Sequence, residues 1–121
     1  MKAYFFDSYA VMEILKGNEN YDNFKESEIV LTKLNLFEIY HNILKQFNEE
    51  LAEEIINKYK IFAIDFDENV IKESAKFRIE NIKKNISMTD CIGYILAKNI
   101  GIKFLTGDKE FEKLDNVEFV K

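Results

Sequence analysis

The sequence predicts an α/β protein, a three-layer α/β/α fold around a central, mainly parallel sheet of four to five short strands. Two observations carry that expectation. Short aromatic or β-branched runs recur along the 121 residues, and between them lie longer stretches with apolar residues at helical spacing. Strands alternating with amphipathic helices indicate a parallel sheet covered on both faces. The length fits one domain, residues 1–121, and leaves no room for a second core. No internal repeat, low-complexity tract or linker composition interrupts it.

Taken in order, Tyr4, Phe5 and Phe6 form a short aromatic run that ends at Asp7 and reads as a buried strand. Ser8 opens a helix through Val11, Met12, Ile14 and Leu15, closed by Lys16 and Gly17. Residues 19–26 read as a short charged helical piece, and Ile29, Val30 and Leu31 as a second strand. From Asn35 a long helix carries Leu36, Ile39, Tyr40, Ile43, Leu44 and Phe47 on one arc, followed by a helix over 49–59. Ile61 to Ile64 read as a third strand, and Asp65 or Asp67 begins a helix with Ile71, Ala75, Ile79 and Ile82. Ser87 starts a helix that Gly101 ends, with Gly93 inside it marking close packing. Residues 103–105 and 117–120 complete the strands.

Composition narrows the class. Hydrophobic residues are 47% and aromatic residues 14%, enough for a packed interior. Cys91 is the single cysteine, so no disulfide forms within the chain, which fits a reducing cytoplasm. The first apolar run is too short for a signal peptide or a membrane span, so a soluble cytoplasmic protein is expected. Net charge is −5, with 22 acids against 17 bases, so contact with nucleic acid must be local or helped by bound cations. Lys33, Lys45, Lys83, Lys84, Lys103 and Lys109 are available to such contacts, but Arg78 is the only arginine and bidentate phosphate clamping is sparse.

In parallel sheets ligands bind beyond the carboxyl ends of the strands, where strand order reverses. Asp7 lies at the exit of the first strand, Glu38 follows the second, and Asp108 follows the fourth. Asp90 lies in the first turn of the helix from Ser87 and follows a helix, so spacing alone does not bring it to that edge. Each acid also has a structural explanation. Asn35 to Glu38 and Ser87 to Asp90 have capping-box spacing, and Asp7 and Asp108 are natural N-caps. Glu38 lies opposite the apolar arc of its helix, as either a solvated face or an open cleft would have it. Converging carboxylates repel one another, and a hard divalent cation relieves that repulsion because Mg²⁺ and Mn²⁺ prefer carboxylate and water oxygens. Ser8 and Thr106 are hydroxyls placed to orient such ligands.

The order strand, Asp7-Ser8, helix, then IVLTKLNLFEIYHNIL around Glu38, then SMTDCIGYILAKNIGIKFLTGDKEF resembles a PIN domain, and more narrowly a VapC-type toxin of a prokaryotic toxin–antitoxin pair. The resemblance spans essentially the whole chain and is most specific in Thr106-Gly107-Asp108-Lys109-Glu110-Phe111. It implies a Mg²⁺ or Mn²⁺ site made by Asp7, Glu38, Asp90 and Asp108, with Glu110 at a further acidic position and Thr106 as the family's hydroxyl. It also implies an endoribonuclease acting on single-stranded or looped RNA, with water attacking phosphorus to leave a 5′-phosphate and a 3′-hydroxyl. The resemblance further implies a homodimer and an antitoxin whose tail covers the cleft. Tyr9 departs from the pattern, standing where many members carry a small polar residue beside the first Asp.

Rival readings are weaker. A di-iron bundle needs two Glu-x-x-His pairs, and His41 is the only histidine. Cys91 sits among Ile92, Ile95 and Leu96 and reads as a buried structural thiol. An aspartyl-phosphate phosphatase carries a second acid two residues after its nucleophile, where Tyr9 stands. The alternative from another class is a catalytically idle PIN-like module kept for protein interaction.

Overall fold

Asp7 can cap a helix only because the strand before it stops there, and the same economy of turns organises the rest. The computed structural model describes residues 2–121. Strand β1 (Ala3–Phe6) leads through Asp7 into helix α1 (Ser8–Leu15). A 3-10 turn, Glu19–Phe24, precedes β2 (Glu28–Val30). Helices α2 (Lys33–Gln46), α3 (Glu49–Tyr59), α4 (Glu68–Glu80) and α5 (Met88–Ile100) follow without an intervening strand. Strand β3 (Lys103–Thr106), a 3-10 turn at Lys109–Phe111 and β4 (Val117–Phe119) complete the described elements.

Among the described residues the sheet has four strands in the order β2-β1-β3-β4, every pair parallel. The chain first steps from β1 to β2 on one side and later returns to β3 on the other, so the order reverses between β1 and β3. Phe5 and Phe104 are register partners whose rings stack at 5.7 Å, and both face Gly93 of α5. A Cβ at Gly93 would stand 2.6 Å from the Phe5 ring, so only glycine lets α5 lie this close to the sheet. Alternation sends Tyr4 to the opposite face, where its ring meets Phe24 edge-on at 5.3 Å. Helices therefore cover both faces, the three-layer arrangement expected. Phe5, Phe6, Phe104 and Leu105 are fully buried, as a doubly covered parallel sheet requires.

Three expectations need correction. Ile61 to Ile64 is not a strand of the sheet. Residues Lys60–Phe62 wind into a 3-10 turn, Ile61 is 75% exposed, and only a single bridge joins Ala63 to Leu31. The tight exit from α3 consumes the residues a strand would need. Helix α2 starts two residues before Asn35, because Thr32 is the cap and Asn35 the third helical residue of its capping box. Ile82 lies beyond α4, which ends at Glu80; of the two candidate starts, Asp67 is the cap, accepting from the Val70 amide at 3.1 Å.

Candidate metal centre

Asp7 is fixed where β1 turns into α1, with its Oδ1 accepting the Ala10 amide at 2.8 Å and only 1% of its surface exposed. Asp108 does the same after β3, where its Oδ1 accepts the Glu110 amide at 3.0 Å. Both are helix caps, as the structural explanation of each requires, and each spends one carboxylate oxygen on the cap. The Thr106 hydroxyl accepts the Asp108 amide at 3.0 Å and also hydrogen-bonds the Asp7 carboxyl, tying the two strand ends together.

Glu38 is in the second turn of α2, too far along to cap it. Its Oε1 accepts the Ser8 hydroxyl at 2.6 Å. Ser8 Oγ in turn accepts from Asn35 Nδ2 at 3.2 Å, and Asn35 Oδ1 accepts the Thr32 amide at 3.0 Å. One relay thus runs from the start of α2 through α1 to the carboxylate. Asn35 was readable only as a cap; its second bond, across to Ser8, has no signature in the local sequence.

Asp90 is the third residue of α5, just past the Ser87 cap. A helix that enters a parallel strand through the tight Gly101 turn runs antiparallel to that strand. The beginning of α5 therefore lies at the carboxyl edge of β3, where spacing alone did not place it.

Asp7, Glu38, Asp90 and Asp108 line one open cavity of about 760 Å³ together with Ser8. Thr106 lies beneath the floor through its bonds to Asp7 and Asp108, while Glu110 is outside the lining. Burial raises Asp7 well above its ordinary value, and the charges of Asp90 and Asp108 raise it further, against hydrogen bonds from Thr106 and Ala10. Burial, then Glu38 and Asp108, push Asp90 up to about 7. Asp7 and Asp90 therefore feel the charge of the neighbouring carboxylates. Among the described residues none of them enters an ion pair.

A divalent cation fits this donor set. The oxygens are hard, and the mutual repulsion is what a bound ion removes. Among the described residues no three Asp, Glu, His or Cys side chains close into a ready-made cage. Mg²⁺ uses one or two carboxylates directly and keeps several waters, so an open acidic cavity suits it better than it would suit tetrahedral zinc. His41 lines the same cavity but stacks on Phe37. Cys91 is buried, with its thiol pushed up to about 11 by that burial, and takes no part. Tyr9, the departure from the family pattern, lays its ring over Gly107, where any Cβ would meet both that ring and the Val120 carbonyl. No helix among the described residues is long and apolar enough to cross a membrane.

Comparison with known proteins supplies context for this geometry. The PIN domain family model matches residues 4–117. No curated relative matches the chain. Among solved structures, a toxin–antitoxin complex from Klebsiella pneumoniae is similar, with a TM-score of 0.75 at 16% identity, covering 96% of each chain. The VapBC2 complex from Rickettsia felis bound to a promoter DNA fragment gives 0.74 at 18% identity, covering 98% of this chain and 99% of that one. DNA-bound VapBC from Salmonella typhimurium gives 0.72 at 16%, covering 98% and 97%. At these identities the likeness is one of fold.

Proposed function

The chain belongs to the PIN-domain family, and on that footing we propose that it is a Mg²⁺- or Mn²⁺-dependent endoribonuclease, the toxin of a VapBC-type toxin–antitoxin pair. The observation that carries the reading is the shared cavity. Four carboxylates from four separate elements, far apart along the chain, open into one space at the reversal point of the sheet with no ion-paired partner among the described residues.

Asp7, Glu38, Asp90 and Asp108 would hold the ion. Bound there, it supplies a nucleophilic water at neutral pH and neutralises charge on a phosphoryl oxygen. In the reaction water's oxygen bonds to phosphorus, the bond to the 3′ oxygen breaks, and a proton passes to that oxygen, leaving a 5′-phosphate and a 3′-hydroxyl. The chain's part is positional. Ser8 and Asn35 fix the Glu38 carboxylate, and Thr106 holds Asp7 against Asp108. Glu110 sits one turn further on and is a secondary candidate, acting through Asp108, whose carboxylate its amide already holds.

The partners under this reading are RNA, a second copy of the chain and an antitoxin, in the cytoplasm. An apolar groove between α4 and α5, bordered by the exposed Ile71, Ile79, Ile82 and Met88, supports the second copy. The absence of a closed cage favours the rival, an idle PIN-like interaction module. Short RNAs incubated with the purified protein in Mn²⁺, in EDTA, and beside Asp7→Asn separate the two. Cleavage should require the divalent ion and fall at least a hundredfold in Asp7→Asn, on the order seen when a group stabilising the transition state is removed. An Asp7→Asn protein that cuts at the wild-type rate overturns the nuclease. Millimolar Mn²⁺ that leaves the melting temperature unmoved favours the idle module.

A further inference from the structure

On α2 the two residues that flank the Glu38 turn are aromatic. Phe37 and His41, one turn apart, stack with ring centres 6.1 Å apart and planes 19° from parallel. Phe37 is 70% exposed, and both rings line the cavity of the four carboxylates. The core does not account for them, since α2 meets it through Leu36, Ile39 and Ile43. A large apolar ring left in water beside the carboxylates suits a ligand that is flat and uncharged on its face. Phosphate does not qualify, because Glu38 adjoins the rings and repels it.

The far side of the cavity has the opposite character. Lys109 and Lys121 line it there, after β3 and β4. The tail that carries Lys121 is pinned by the Val120 amide on the Thr106 carbonyl at 2.9 Å and by Asn20 Nδ2 on the Lys121 carbonyl at 2.9 Å. Across the opening the order is therefore aromatic shelf, carboxylate floor, ammonium rim. We propose that the Phe37–His41 shelf stacks a nucleobase of a single-stranded nucleic acid, next to the phosphodiester held over the carboxylates, with Lys109 and Lys121 meeting the strand's phosphates beyond it. Every base has a π-face, so such a shelf tolerates any sequence but requires a base free of duplex stacking. This inference rests on the ribonuclease reading and names how its substrate is seated. The α4–α5 groove, read above as the contact for a second copy, lies away from this cavity, so self-association does not account for the shelf.

The test uses the full chain with Mn²⁺, a short single-stranded RNA carrying 2-aminopurine, its phosphorothioate-linked form for binding, and a matched strand with an abasic site. Phe37→Ala should raise KM about five- to 150-fold, the range for losing one base–aromatic stack. It should leave kcat within about threefold of the parent, abolish quenching of 2-aminopurine, and leave KM on the abasic strand unmoved. Phe37→Trp should restore both KM and quenching. The Mn²⁺-induced rise in melting temperature should survive Phe37→Ala. Equal losses on the two strands, or a fall in kcat with KM unmoved, overturn the shelf and make Phe37 a mere support for Glu38. Unchanged RNA kinetics with lost self-association in size exclusion overturn it in favour of a protein contact. If the parent protein cuts no RNA in Mn²⁺, the underlying nuclease fails; if the parent cuts and Phe37→Ala matches it, only the shelf fails.

Discussion

Replacing Asp90 with asparagine should stabilise the metal-free protein at neutral pH while disabling its cavity. Burial, with the charges of Glu38 and Asp108, pushes the Asp90 carboxyl from its ordinary 3.8 up to about 7. The unfolded chain releases that proton near the ordinary value, so between about pH 4 and pH 7 the folded chain holds a proton that the unfolded chain has lost. The sign follows directly. A carboxyl whose native pKa is raised favours folding below its unfolded pKa, and that contribution drains away as pH climbs through about 7. Roughly three pH units at about 1.4 kcal/mol each set a ceiling of about 4 kcal/mol. Water reaches part of the side chain, which brings the expected loss nearer ~2 kcal/mol. Asp7, also raised, pulls in the same direction.

Urea unfolding in EDTA at pH 5 and pH 8 reads this difference. Two of those three pH units lie between pH 5 and pH 8, so the Asp90 carboxyl should cost the parent about 1.3 kcal/mol across them, and Asp90→Asn should lose correspondingly less, with the slope on denaturant unchanged. Comparing the two proteins at each pH cancels whatever the rest of the chain contributes. Under the proposed metal site, saturating Mn²⁺ at pH 8 should recover stability in the parent and recover less in the variant, since a ligand of the native state alone stabilises it by mass action. An Asp90→Asn protein no more stable than its parent at pH 8 in EDTA would refute the claim that burial and neighbouring carboxylates penalise the Asp90 charge.

Other outcomes are equally specific. Ser8→Ala removes the donor to Glu38 and strands Asn35; Mn²⁺-dependent cleavage should fall about ten- to a hundredfold in single-turnover assays, with a stability loss of about 1 kcal/mol by urea titration. Gly93→Ala drives a methyl into the Phe5 ring and should cost about 1–3 kcal/mol, read as a melting temperature lower by roughly 5–10 °C. Ile79→Asp, at a site 71% exposed beside the α4–α5 groove, should abolish the proposed self-association in size exclusion. The folded chain should move by less than about 0.5 kcal/mol.

Much of this molecule could be read from residue order because strand ends and helix starts coincide. Tyr4 to Phe6 followed by Asp7 already says that a buried strand stops at a polar cap, and β1 ends at Phe6 with Asp7 capping α1. Residues 61–64 mislead for a physical reason. A four-residue apolar run has the same composition whether it pairs along its length or touches a neighbour once, and the turn at Lys60–Phe62 is set by where α3 ends. Glu38 was ambiguous because a cleft wall and a solvated helix face share one pattern; only the Ser8 hydroxyl at 2.6 Å distinguishes them. Phe37 escaped notice because one aromatic beside an apolar arc looks like its edge until its exposure is measured.

The strand order has a consequence for how the protein comes into being. The central pair joins Tyr4 of β1 to Lys103 of β3, partners 99 positions apart along the chain. Contacts of that span form late, because a long loop must close before they return anything. While the polypeptide emerges from the ribosome, Asp7 is made early and has no Asp108 to face until almost everything else has been translated. A nascent or truncated chain lacking β3 therefore cannot assemble the cavity that Asp7 and Asp108 share, and that cavity exists only once nearly the whole chain has been made.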